Sequence, residues 1–207
     1  MIGDSRLMKR RTFKQADVPQ IADDEEYYSC IFEGLSLDHK KLENCLFEEC
    51  SFLNANLANS RLNASVFRSC NLNGVKIAGS NLFSAAFEKC KLMGVDFREG
   101  ITLTAATFKD CNLDYANFQG VSLERMVFEG SSFVEANLSF TNLERASFVG
   151  CDLAHADIQE AKFFQTDLRG ANLAGWNLRQ HDLRGVIITP AQFQALAAEL
   201  GIQVMKL

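Results

Sequence analysis

The sequence predicts an all-β solenoid of about eight four-sided coils, closed at its C-terminal end by a short α-helix. Three observations lead there. First, a Leu, Phe or Ile recurs at every fifth position from Phe32 to Phe97 and again from Leu103 to Ile188, 14 centres before a one-residue slip and 18 after it. A period of five matches neither the helical 3.6 nor the strand 2, which excludes amphipathic helices and hairpins for this stretch. Second, residue choice repeats every twenty: Phe47, Phe67 and Phe87, then past the slip Phe108, Phe128 and Phe148. Third, Cys30, Cys50, Cys70 and Cys90, followed by Cys111 and Cys151, keep the same twenty-residue step. Four pentapeptides therefore make one coil, and like side chains stack on like. The repeat also accounts for a composition of 17 Phe against 3 Tyr and 1 Trp.

The residue two before the centre is usually small, as in Ala55, Ser65, Ala116 and Ala171, and all seven cysteines occupy this position. Residues two apart in an extended chain face the same side, so centre and small residue share one interior. The six Phe of the twenty-residue series are its structural core. The residue just before the centre is often Asn or Asp, such as Asn112, Asn137 and Asp152, a turn-former turned outward. Stacked at ~4.8 Å, eight such coils make a rod of roughly 38 Å.

Segments such as Ala136-Asn137-Leu138-Ser139-Phe140 and Ala171-Asn172-Leu173-Ala174-Gly175 resemble the pentapeptide-repeat family over residues 30–188. The resemblance implies a right-handed quadrilateral β-helix, in agreement with the twenty-residue period.

Residues 1–29 lie outside the pattern. They hold a basic cluster (Arg6, Lys9, Arg10, Arg11, Lys14) and then an acidic run (Asp23, Asp24, Glu25, Glu26), and are expected to form a lead-in that caps the first coil. The slip at 98–102 contains Gly100 and predicts a bulge or a change of coil direction. Residues 189–207 form a separate module. Thr189 and Pro190 read as a helix N-cap and first helical residue, Gly201 as its C-cap, and Ile202 to Met205 as a short strand. Phe193, Leu196, Leu200, Ile202 and Val204 then make an apolar surface expected to pair with a second copy. This ending resembles the dimerisation tail of the mycobacterial and Qnr quinolone-resistance members of the family. The longer loops of the Gram-negative Qnr members have no counterpart in this chain.

Composition removes several functions. A net charge of −5 argues against general nucleic-acid binding. No apolar run reaches the ~18 residues of a membrane span, and the first residues lack the apolar core of a secretion signal. Seven cysteines, an odd number, read as reduced thiols of a cytoplasmic protein. His39, His155 and His181 are scattered, no Gly-rich phosphate loop opens a helix, and the carboxylates face outward from an apolar interior. No catalytic residue, metal site or cofactor is expected.

Function is therefore expected on the surface. Residues 99–160 carry ten acidic and three basic residues, whereas 31–98 carry eight basic and seven acidic. Glu99, Asp114, Glu135, Asp152, Asp157 and Glu160 fall on two adjoining sides without a base; Lys109, Arg125 and Arg145 fall on the other two. Three coils span ~15 Å, over which B-DNA carries about nine charges, so a net of −7 approaches duplex charge density. The family resemblance implies a DNA-mimicking partner of type II topoisomerase, DNA gyrase above all, that protects it from quinolones or other poisons. The alternative is a scaffold whose protein partner is unrelated to DNA topology.

Overall fold

The computed structural model describes residues 7–176, 181–199 and 201. Six short parallel strands stack in sequence order: β1 (Leu7–Lys9), β2 (Glu26–Tyr28), β3 (Leu46–Glu48), β4 (Val66–Arg68), β5 (Ala86–Glu88) and β6 (Thr107–Lys109). Their register places Tyr27, Phe47, Phe67, Phe87 and Phe108 above one another. Beyond β6 the same side continues as single bridges through Val127, Ser147, Asp167 and Ile187.

Three further ladders of single parallel bridges close the coil. The first side runs from Thr12 through Ile31, Ser51, Asn71, Lys91, Asn112, Ser132 and Asp152 to Asn172. The second carries Ser36, Asn56 and Lys76, then Asp96, Asn117, Asn137 and Asp157. The third carries Lys41, Arg61, Asn81 and Thr102, then Ser122, Asn142 and Lys162, and the strands make the fourth. Four ladders per twenty residues give the four-sided solenoid that the periodicity predicts. Its interior is the expected column of apolar centres, with Phe47, Phe67, Phe128 and Phe148 fully buried and Phe87 and Phe108 nearly so.

Flat rings stack face to face along the fourth side, at centroid spacings of 4.9 Å for both Phe47–Phe67 and Phe67–Phe87. The spacing is that of the coils, so each aromatic packs on the next without tilting the backbone. The seven thiols are free and buried, and several donate to a carbonyl of the coil below: Cys50 to Tyr27 at 3.3 Å and Cys90 to Phe67 at 3.3 Å.

The pairing begins before the repeat does. Leu7–Lys9 pairs in register with Glu26–Tyr28, and the short 3-10 helix Gln15–Gln20 carries the chain between them. Met8, Phe13, Ile21 and Tyr27 fill this coil, with Phe13 stacked on Phe32 at 4.7 Å. Arg11 of the basic cluster is taken up locally by Asp17 and Gln20, and the same Asp17 carboxylate accepts the backbone N–H of Lys14. Arg6 lies outside the described residues.

At the other end α1 (Pro190–Glu199) lies on the last coil. Thr189 Oγ1 accepts from the Gln192 N–H at 3.2 Å while Gln192 Oε1 accepts from the Thr189 N–H at 2.9 Å, a reciprocal capping box. Gln192 Nε2 also donates to the Leu168 and Ala171 carbonyls, and the Gly170 N–H donates to Gln192 Oε1. One side chain thus caps the helix and ties it to the coil edge.

Candidate acidic interaction surface

The six predicted carboxylates arise from the pentapeptide itself. The centre points inward, so the positions one before, one after and two after it are left outside. Asp152 and Asp157 precede their centres, Asp114 follows one, and Glu135 and Glu160 occupy corners where the backbone turns left-handed at φ 55° and 54°. All six are exposed or half-buried.

The structure groups five of them. Asp114, Glu135 and Asp152 climb the first side in three successive coils, and Asp157 and Glu160 lie on the second side in the coil of Asp152. Glu99 stands apart. Asp157 bridges to Asn137, Asn137 to Asn117 and Asn117 to Asp96, so three steps of ~4.8 Å separate it from the coil of Glu99. The second side between them is neutral, built of Asn117, Gln119, Asn137 and Ser139.

Local bonds order several of these groups. Asp114 Oδ1 accepts from the Ser132 hydroxyl and, at 3.0 Å, from the Val134 N–H, one coil above. Asp152 Oδ1 accepts from the Ala154 N–H and from Asn172, both at 3.0 Å. Asp157 Oδ1 accepts from the Gln159 N–H at 3.0 Å, and Tyr115 Oη donates to Glu135 at 3.4 Å. Among the described residues none of the six pairs with a cation. The three bases of the stretch are engaged elsewhere, Lys109 with Glu129 at 3.9 Å, and Arg125 and Arg145 with Glu124 at 3.4 and 3.7 Å. The stripe's charge is left without an opposing one. His155 lies beside Glu135 and Asp157 at the corner joining the two sides.

The C-terminal apolar face divides. Phe193 is 52% exposed. Leu196 is half-buried and lines a small cavity of about 90 Å³ together with Leu168, Leu173, Trp176, Leu183, Val186 and Ile188. Leu200, Ile202 and Val204 lie outside the described residues. The capping box and clasp of Gln192 went unread in the sequence, although Thr189 three residues before a Gln is the signal for the box.

Burial pushes the Cys45 and Cys151 thiols up to about 12, far from the thiolate needed for nucleophilic work. Among the described residues no group of three or more His, Cys, Asp or Glu is placed to hold a metal ion, and no helix is long and apolar enough to cross a membrane.

The sequence model described as "Pentapeptide repeat region" matches residues 23–97, 80–157 and 101–178. No curated protein matches the sequence. Among solved structures, full-length QnrB1, a plasmid-mediated fluoroquinolone-resistance protein, superposes with a TM-score of 0.67 at 22% identity, over 96% of this chain and 98% of its own. A trypsin-treated variant of QnrB1 gives 0.66 at 23% identity, over 97% and 98%. At these identities the likeness speaks for the fold alone. With most of its length matched by the family model, the chain belongs to the pentapeptide-repeat family.

Proposed function

We propose that this pentapeptide-repeat protein is a DNA-like ligand for a type II topoisomerase, DNA gyrase first, and that it modulates or relieves inhibition by quinolones or other gyrase poisons. The observation that carries the reading is the segregation of charge. Five carboxylates cluster on two adjoining sides of three successive coils, while every base of the stretch is paired on the other two. A net of −7 over residues 99–160, against about nine charges on ~15 Å of duplex, suits a basic groove shaped for DNA. The structural likeness to a fluoroquinolone-resistance protein points the same way. A second copy joined through α1, with Phe193 in the contact, would lengthen the rod along its axis.

The test is a gyrase supercoiling assay, with and without a fluoroquinolone, titrated with this protein at several salt concentrations. Inhibition of supercoiling or loss of drug-induced cleavage, weakening as salt rises, is the expected result. No effect on gyrase or topoisomerase IV at any salt overturns the reading and favours a scaffold with another protein partner.

A further inference from the structure

We propose that the rod is jointed at the level of the inserted residue, so that the coils below and above it bend relative to one another. The proposal stands on the backbone and core, and does not depend on what the acidic surface binds.

A parallel ladder supplies two backbone hydrogen bonds per side where one coil meets the next. On the second side Lys76 N–H donates to Ala55 and Leu57 N–H to Lys76, at 3.0 and 2.7 Å. One coil higher the ladder breaks: no backbone hydrogen bond joins Val75–Ala78 to Val95–Arg98, the bridge series skips from Lys76 to Asp96, and only the corner keeps a bond, Gly79 N–H to Glu99 at 2.7 Å. On the third side Leu82 N–H reaches Thr102 at 2.9 Å, yet none joins Thr102–Ala105 to Ser122–Arg125. The fourth side keeps a stretched contact at this level, Phe108 N–H to Val127 at 3.4 Å.

The cause is the insertion. Partners twenty apart below and above it are twenty-one apart across it, as in Asn81–Thr102, Ala86–Thr107 and Lys91–Asn112. The extra residue is absorbed where Gly100 turns left-handed at φ 62°, and the coil containing it makes a bridge to each neighbour on three sides only.

The core registers the same opening. Ring centroids along the fourth side lie 4.9 Å apart at Phe87–Phe108 and 5.0 Å at Phe128–Phe148, but 5.5 Å at Phe108–Phe128. The third-side gap is a surface groove lined by Ile101, Leu103, Val121 and Met126. Two successive interfaces thus each lack the bridge of one side, and the two sides adjoin. Closing or widening the lower gap tilts the rod toward the second side, and the upper gap toward the third. The joint separates the near-neutral coils from the acidic ones.

Residue-resolved hydrogen exchange on the intact protein tests the open backbone. The amides of Ile77, Leu103 and Ser122 should exchange at least about tenfold faster than those of Leu57, Leu82 and Asn142, which hold the same places one coil away. Deletion of Gly100, which restores the twenty-residue step, should bring the two sets together. Bending is read by paired spin labels: the distance distribution between positions Glu48 and Glu129, across the joint, should be broader than that between Lys9 and Arg68, below it. Equal exchange of the two amide sets in the wild type overturns the joint. Fast exchange with equally narrow distances overturns the bending.

Discussion

The thiol of Cys70 donates to the carbonyl of Phe47, 3.3 Å away in the coil below. That carbonyl has no partner in its own corner. Elsewhere a corner closes on itself, as where the Ala55 N–H donates to Phe52 at 2.8 Å, but no such bond spans 47–50 or 67–70. The thiol of the next coil takes its place, and Cys111 does the same for Phe87 at 3.4 Å. Cysteine here is a small side chain whose donor adds a bond to a carbonyl that the parallel ladder of β3 and β4 already engages.

It follows that Cys70→Ala costs about 0.5–1.5 kcal/mol beyond the packing of one sulfur, by removing the thiol's bond to the Phe47 carbonyl. Cys70→Ser keeps a donor and recovers most of the loss. Thermal melts of the two variants decide it, and a serine no better than alanine removes the hydrogen bond from the account.

Phe87→Ala should cost about 3–5 kcal/mol, because its ring stacks on Phe67 and Phe108 at 4.9 Å each. Chemical denaturation gives the number. A loss smaller than that of Cys70→Ala would mean that the column relaxes to fill the space.

For the acidic surface the informative variants remove charge and keep shape: Glu135→Gln, Asp157→Asn and Glu160→Gln together. Asp114 is unsuited to reversal, since it receives the Ser132 hydroxyl and the Val134 N–H of the next coil. The triple variant should melt within about 0.5 kcal/mol of the wild type and lose its effect on gyrase. An undiminished effect excludes charge mimicry as the mechanism.

Sedimentation addresses self-association. Phe193→Asp should shift a dimer toward monomer while α1 stays docked through Leu196 and Gln192. A wild type already monomeric at micromolar concentration rules out pairing through this helix.

Acid stability should depend on the fork of Arg169 around Asp167, with bonds of 2.9 and 2.6 Å. The Arg169 hydrogen bond holds the Asp167 carboxyl below its usual range. A pKa lowered in the folded state contributes stability above the unfolded value of about 3.9, and that contribution fades as pH falls through and below it. Because Arg169 is half-exposed, the effect is well under ~1 kcal/mol. Melts from pH 6 to pH 2 should fall less steeply for Asp167→Asn; parallel curves would show that the fork adds nothing.

The rod was legible because every centre from Phe32 to Ile188 obeys one short rule, and the corner geometry repeats with it. The coil before Cys30 was hidden: its partners lie nineteen apart, as in Leu7 and Glu26, and the five-residue step from Met8 to Phe13 is lost before Ile21. The sequence also marked the side of each carboxylate correctly, since side follows from position in the pentapeptide. It left unread which of them share a level: Glu99 lies three coils below Asp157, with two neutral levels of the second side between them, a matter of height rather than side. The hydrogen bonds of Cys70 and Gln192 were equally invisible, because they join residues 23 and 24 apart through backbone carbonyls that carry no sequence signal.

The clasp of Gln192 has a meaning for solubility. Every coil offers its neighbour the same in-register parallel edge, so the upper rim of the last coil matches the lower rim of any coil, including one from another molecule. Such a surface is a template for end-to-end fibre growth. By occupying the backbone groups of Leu168, Gly170 and Ala171, one glutamine amide blocks part of that template and makes α1 a stopper against polymerisation.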